Sequence, residues 1–197
     1  MSNGVERSTS AGKYVLIGGG VRSGKSAFAL SLARRIGPRR VLIATAQALD
    51  AEMGERIARH RIERGEGFDT IEAPLDLAET LRGVRDADVA VVDCLTLWMS
   101  NLLLRGDAEP AILAQVDELV ATLVAARFTS ILVTNEVGMG VHPETALGRA
   151  FRDVVGRAHQ RLARDAGAIY FAALGVLLRL RPAPVIAMEG APHDLAD

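Results

Sequence analysis

The sequence predicts an α/β fold: a mostly parallel central sheet flanked by helices, with an antiparallel strand at its C-terminal edge. Three observations carry this expectation. Short β-rich apolar runs recur along the chain, segments with helical spacing separate them, and the first run leads directly into a glycine-rich loop. Strands covered on both faces need near-continuous apolar runs, and alternation with helices brings such strands together in parallel.

The runs are YVLIG (14–18), VLIAT (41–45), TIEA (70–73), VAVVD (89–93), SILVTN (130–135) and AIYFAA (168–173). Behind the first run and its loop, SAFALSLARRI reads as a helix. The clearest helical pattern is HPETALGRAFRDVVGRAHQRLARDAG (142–167). Pro143 suits its first turn, Leu147, Phe151, Val154, Val155, Ala158 and Leu162 form one apolar stripe, and Gly167 caps the end. After Ala173, LGVLLRL reads as a turn at Gly175 and a strand over 176–180, close enough to its predecessor to pair antiparallel. Three of the seven prolines lie from Pro182 onward, so that tail is expected to be irregular. The division is therefore a polar, disordered extension (1–13), one domain (14–181) and an irregular tail (182–197). There is no internal repeat.

A chain of 197 residues supports one sizeable core. Composition excludes several function classes. No stretch approaches the roughly 18 uninterrupted apolar residues of a membrane span. A net charge of −1 and only eight aromatic residues disfavour nucleic acid as a partner. The opening MSNGVERSTSAG has no apolar signal-peptide core, which points to a cytoplasmic protein. The single cysteine, Cys94, cannot form an internal disulfide and reads as a small buried hydrophobe.

From Gly19, GGVRSGKS satisfies G-x-x-x-x-G-K-[ST] between a strand and a helix, which makes the expected fold P-loop NTPase-like. Backbone N–H groups can wrap a phosphate chain only where side chains do not block approach and positive φ is allowed. Gly19, Gly20, Val21, Arg22, Ser23 and Gly24 would form that cradle. Lys25, one of two lysines against 21 arginines, supplies an ammonium to the β and γ phosphates. Ser26 offers a hydroxyl to Mg²⁺, and the helix behind it aims its positive end at the anion. Asp93, closing VAVVD, is the second metal-shell candidate. These residues imply nucleotide binding and phosphoryl transfer without naming an acceptor. The N-K-x-D pattern of a GTPase is absent. A kinase of some small alcohol and a nucleotide-dependent regulatory protein both stay open at this point.

Three further stretches narrow the choice: IATAQALDAEMGERIARHRIERGEGFDTIEAPLDL (43–77), VVDCLTLWMSNLL (91–103) and LVTNEVGMGVHPETALGRAFRDVVGRAHQRLA (132–163). With GGVRSGKS they closely resemble the bifunctional adenosylcobinamide kinase / adenosylcobinamide-phosphate guanylyltransferase family of cobalamin biosynthesis, over about 14–181. The resemblance implies two reactions. ATP or GTP first phosphorylates adenosylcobinamide; GTP then gives its GMP unit to adenosylcobinamide phosphate, yielding adenosylcobinamide-GDP and pyrophosphate. It also implies a homo-oligomer, with a trimer expected.

In the family a histidine carries GMP between donor and acceptor, and the match of DAEMGERIARHR to D-x-E-M-x-x-R-I-x-x-H puts it at His60. On a helix begun near Asp50, His60 falls three residues after Ile57 and seven after Met53, on the inward stripe, where a packed histidine is the ordinary alternative. Neutral imidazole is nucleophilic near pH 7 and suits the role. By the same resemblance Thr45, Ala46, Gln47, Arg61, Ile62, Glu63, Arg64, Glu72 and Asp93 would surround nucleotide and metal. TNEVGMG (134–140) reads as a loop at the ligand-bearing edge of the sheet. Arg149 and Arg152 suit charge stabilisation or ordinary surface ion pairs. His142, His159 and His193 are assigned no catalysis. Val21 departs from the alanine common in the family.

Overall fold

The computed structural model describes residues 14–47 and 66–188. His60, Arg61, Ile62, Glu63 and Arg64, the extension 1–13 and the end of the tail lie outside the described residues. Within them, one sheet contains β1 (Val15–Gly19), β2 (Arg40–Ala44), β3 (Asp69–Glu72), β4 (Val89–Asp93), β5 (Thr129–Val133), β6 (Ala168–Ala173), β7 (Val176–Arg181) and β8 (Ile186–Met188). Their order is β3-β2-β4-β5-β1-β6-β7-β8. All pairings from β3 through β6 are parallel; β7 runs antiparallel to β6, and β8 antiparallel to β7. The helices are α1 (Lys25–Ile36), α2 (Leu77–Gly83), α3 (Leu95–Arg105), α4 (Glu109–Ala125) and α5 (Ala146–Asp165). None is long and apolar enough to cross a membrane.

β4 shows why its sequence is apolar throughout. Val89 and Val91 join Phe28, Ala29 and Ala33 of α1 on one face of the sheet. Ala90 and Val92 lie on the other, beneath Trp98 and Leu102 of α3, Ile112 and Leu119 of α4, and Val154 and Leu162 of α5. Alternate side chains point to opposite faces, so a strand covered twice needs no polar position. Each fully buried valine or leucine contributes about 2 kcal/mol.

Three expectations are corrected. Pro143 is not in the first turn of α5, because Thr145 caps that helix by accepting from the Gly148 N–H at 3.1 Å. Leu147 stays exposed, while Phe151 is half-buried and packs against the core, so the packed stripe begins at Phe151. Gly167 is not the cap; its N–H donates to Tyr14 O and aligns the chain for β6 beside β1. The tail also adds a strand. Its first two prolines lie between β7 and β8, and the apolar Ile186–Met188 pairs on the open edge of β7, so β8 and not β7 ends the sheet.

Candidate active site

The glycines of the first loop answer two different steric demands. At Gly19, φ is 154° and an added Cβ would lie 2.4 Å from Ala172 O of the neighbouring β6, so no side chain fits. Gly24 has φ 90°, the left-handed conformation that turns the chain into α1. Arg22 takes positive φ, 55°, without being glycine. The first turn of α1 contains no acidic residue of its own, and its positive end lies beside the loop.

Lys25 is buried, and its Nζ donates to Gly20 O at 3.0 Å, so the ammonium is held across the loop. Ser23 Oγ is buried inside the same loop with no hydrogen-bond partner among the described residues. Leaving such a group unmet costs about 1–3 kcal/mol, so the loop retains an unsatisfied donor.

β4 is separated from β1 by β5, and α1 lies back across β4 and β5. This crossover brings Ser26 Oγ to 3.5 Å from Asp93 Oδ1. One hydroxyl and one carboxylate form an all-oxygen set suited to Mg²⁺, which takes few protein ligands and completes its shell with phosphate oxygens and water. Among the described residues no group of three or more His, Cys, Asp or Glu could hold a metal. The hydroxyl and carboxylate of Ser26 and Asp93 fit Mg²⁺ held jointly with a nucleotide.

Beyond β2, Thr45 is fully buried and tied to the turn after β4. Its hydroxyl donates to Cys94 O at 2.7 Å and accepts from the Cys94 N–H at 2.9 Å, while its own N–H donates to Asp93 O. The side chain is thus committed to holding Asp93 and Cys94. Ala46 and Gln47 follow, half-buried. Glu72 ends β3 in register with Ala44, exposed. Thr45, Ala46, Gln47, Glu72 and Asp93 share the C-terminal edge of the parallel strands with the glycine loop, the edge where α/β sheets bind ligands.

Asn101 belongs to this arrangement and was not singled out from the sequence. Its Nδ2 donates to Thr45 O at 2.8 Å and to Pro74 O at 3.0 Å, joining the segments after β2 and β3. The available signal was a lone amide in the apolar helix LTLWMSNLLLR. Burial pushes the Cys94 thiol up, and neighbouring Asp93 reinforces the shift, so Cys94 is the packed thiol its sequence suggested.

The segment after β5 lies against the loop, with Glu136 N–H donating to Gly19 O at 3.0 Å. His159 reaches this segment from α5: its Nε2 is 2.7 Å from Thr134 Oγ1 and its Nδ1 is 3.8 Å from Glu136 Oε2. Its sequence signal was the spacing of four from Val155, which puts it beside the buried stripe. Arg149 directs Nη1 at Pro143 O and Glu144 O, and Arg152 Nη2 lies 3.0 Å from His142 Nδ1. Both arginines therefore brace the loop before α5.

Comparison with known proteins agrees with this architecture. Two solved structures share the fold at low identity. The ATPase from the type III secretion system of pathogenic bacteria superposes with TM-score 0.54 at 11% identity, over 83% of this chain and 52% of that one. The RadB recombinase gives 0.51 at 16%, over 91% and 87%. Closer in sequence is the bifunctional adenosylcobalamin biosynthesis protein CobP of Pseudomonas aeruginosa, 43% identical over 86% of this chain and 98% of the relative. The bifunctional adenosylcobalamin biosynthesis protein CobU of Escherichia coli is 37% identical over 85% and 99%. A sequence model described as cobinamide kinase / cobinamide phosphate guanyltransferase matches residues 15–180, and the chain belongs to that family.

Proposed function

We propose that this chain phosphorylates adenosylcobinamide with ATP or GTP and then transfers GMP from GTP to adenosylcobinamide phosphate. The observation that carries the reading is the joining of Lys25, Ser26 and Asp93 at one sheet edge, in a chain whose relatives are bifunctional enzymes of adenosylcobalamin biosynthesis. Gly19 to Lys25 would receive the phosphate chain on backbone N–H groups and the Lys25 ammonium. In the first reaction the substrate hydroxyl oxygen attacks the γ phosphorus, its proton leaves to solvent or a base, and the nucleoside diphosphate departs.

In the second, a nitrogen of His60 attacks the α phosphorus of GTP and pyrophosphate leaves. The acceptor phosphate then attacks the same phosphorus, the N–P bond breaks, and adenosylcobinamide-GDP forms with the imidazole restored. Two in-line displacements replace one difficult transfer between anions. Ser26 and Asp93 would hold Mg²⁺, which supplies neutralisation of phosphate charge when bound. Arg61 and Arg64 suit phosphate oxygens through their planar forks, and Glu72 suits the guanine N–H edge or ribose. A cytoplasmic homo-oligomer, in the form of a trimer, completes the proposal.

The reading is tested by giving the purified chain adenosylcobinamide, Mg²⁺ and GTP and following products by mass. Adenosylcobinamide phosphate followed by adenosylcobinamide-GDP is expected. Failure to convert adenosylcobinamide while GTP still binds would overturn it.

A further inference from the structure

The contact between the chain after β5 and the glycine loop is held by a hydrogen-bonded relay that none of the assigned roles uses. Thr134 N–H donates to Ile17 O at 3.0 Å, and Glu136 N–H donates to Gly19 O at the same distance, so residues 134–136 continue the pairing of β5 with β1 into the first residue of the loop. Side chains from two helices fix this extension. Thr96, in the first turn of α3, accepts from the Asn135 N–H at 2.7 Å and lies 3.3 Å from Thr134 Oγ1. His159 on α5 bridges Thr134 Oγ1 and the Glu136 carboxylate, whose other oxygen accepts from the Gly138 N–H at 2.6 Å.

The donors in this relay can be ordered. Burial holds His159 below its ordinary pKa, with Glu136 opposing, so the ring is neutral near pH 7 and has one donor and one acceptor. The Glu136 carboxylate, 3.8 Å from Nδ1, faces the ring as a negative charge and favours the tautomer that carries its proton on Nδ1. In that tautomer Nε2 accepts from Thr134 Oγ1, and Thr134 in turn accepts from Thr96 Oγ1. A relay of this kind is worth more than its separate pairs, because each bond polarises the next. Its far end is the turn after β4, since Cys94 Sγ lies 3.7 Å from Thr96 Oγ1, one residue from Asp93.

We propose that His159 is a positioning residue for the phosphate-binding loop: through Thr134 and Glu136 it holds residues 134–136 against Gly19 and so fixes the loop relative to Asp93. The proposal rests on the reading of residues 19–26 as the phosphate site, but it concerns the placement of that loop whether or not transfer follows. Among the described residues the charged group facing the ring is Glu136, from the segment after β5; the same segment presents the hydroxyl of Thr134, and α3 that of Thr96. Protonation turns Nε2 into a donor aimed at a hydroxyl that must then reverse, which disturbs the order of the whole relay.

Two variants separate positioning from packing. His159→Leu keeps an apolar body and loses both polar ends; His159→Gln restores an acceptor toward Thr134. Amide hydrogen exchange of the peptide spanning 19–26, and affinity for GDP with Mg²⁺ by calorimetry, are measured alongside the melting temperature. His159→Leu should speed exchange in that peptide and weaken GDP binding about 10-fold, the range seen when a group supporting a ligand-binding residue is removed. His159→Gln should return both to within about 3-fold of the parent and lose the parent's weakening of GDP binding at mildly acid pH.

Unchanged exchange at 19–26 in His159→Leu would overturn the proposal. So would equal losses in both variants that simply follow their melting temperatures. If the parent itself bound no GDP, the phosphate-site reading would fall, while the exchange measurement would still decide whether His159 holds the loop.

Discussion

Ser26 Oγ and Asp93 Oδ1 lie 3.5 Å apart although 67 positions separate them in the chain. The contact exists because α1 follows the glycine loop behind β1 and lies back across β4 and β5, so the first turn of the helix meets the last residue of β4. Neutralising one side of this pair removes a charge from the metal site but keeps its shape. Asp93→Asn should lower both transfer rates by about 10²-fold, the size typical for loss of one group stabilising a reacting anion. Raising Mg²⁺ should recover part of the loss. Steady-state rates at several Mg²⁺ concentrations check this, and an unchanged kcat would remove Asp93 from the metal shell.

Gly19 has no room for a side chain, since a Cβ would stand 2.4 Å from Ala172 O. Gly19→Ala must therefore displace the start of the loop or the β1–β6 pairing. Nucleotide affinity should fall more than 10-fold, an order set by the cost of about 2 kcal/mol or more for strain at a special backbone position. Titration with GDP measures it. Parent-like affinity would show that the loop adapts.

Asn101 holds Thr45 O and Pro74 O with one amide. Asn101→Leu leaves two carbonyls with no partner in place of that amide, and should destabilise the fold by about 1–3 kcal/mol. Urea denaturation of the two proteins reads the difference directly. An unchanged midpoint would mean that other groups or water satisfy both carbonyls.

The burial of His159 has a consequence for acid stability. Its folded pKa lies below the ordinary 6.5, so between the two values the unfolded chain binds more protons than the folded one. Stability therefore rises with pH through that window and falls on acidification below about 6.5. Denaturation midpoints at about pH 7 and pH 5.5 should differ more for the parent than for His159→Gln. Equal differences would mean that His159 does not titrate as its burial requires.

What the sequence made legible follows the physics of each element. VAVVD was readable to the residue because both faces of β4 are covered, and the glycines of GGVRSGKS because Gly19 has no room for a Cβ and Gly24 turns with positive φ. The start of α5 was misread because Pro143 and Thr145 are both good starting residues, and only the bond from the Gly148 N–H decides between them. β8 was hidden by prolines that sit in the turn before it, while the open edge of β7 that recruits it is a tertiary fact. Asn101 and His159 carry no motif. Partners of theirs lie 56 and 25 positions away, so the local signals, a lone amide in an apolar helix and a spacing of four from Val155, do not say what they bind.

The central claim is that one phosphate loop serves two transfers, the second through His60. The purified chain is mixed with Mg²⁺ and GTP labelled in the α phosphate, then quenched, and the protein is assayed for label. Acid-labile, alkali-stable label on the parent is predicted, released as labelled adenosylcobinamide-GDP when adenosylcobinamide phosphate is added. His60→Ala should take up none while still phosphorylating adenosylcobinamide. No label on the parent, or guanylyl transfer that survives His60→Ala, would contradict the account.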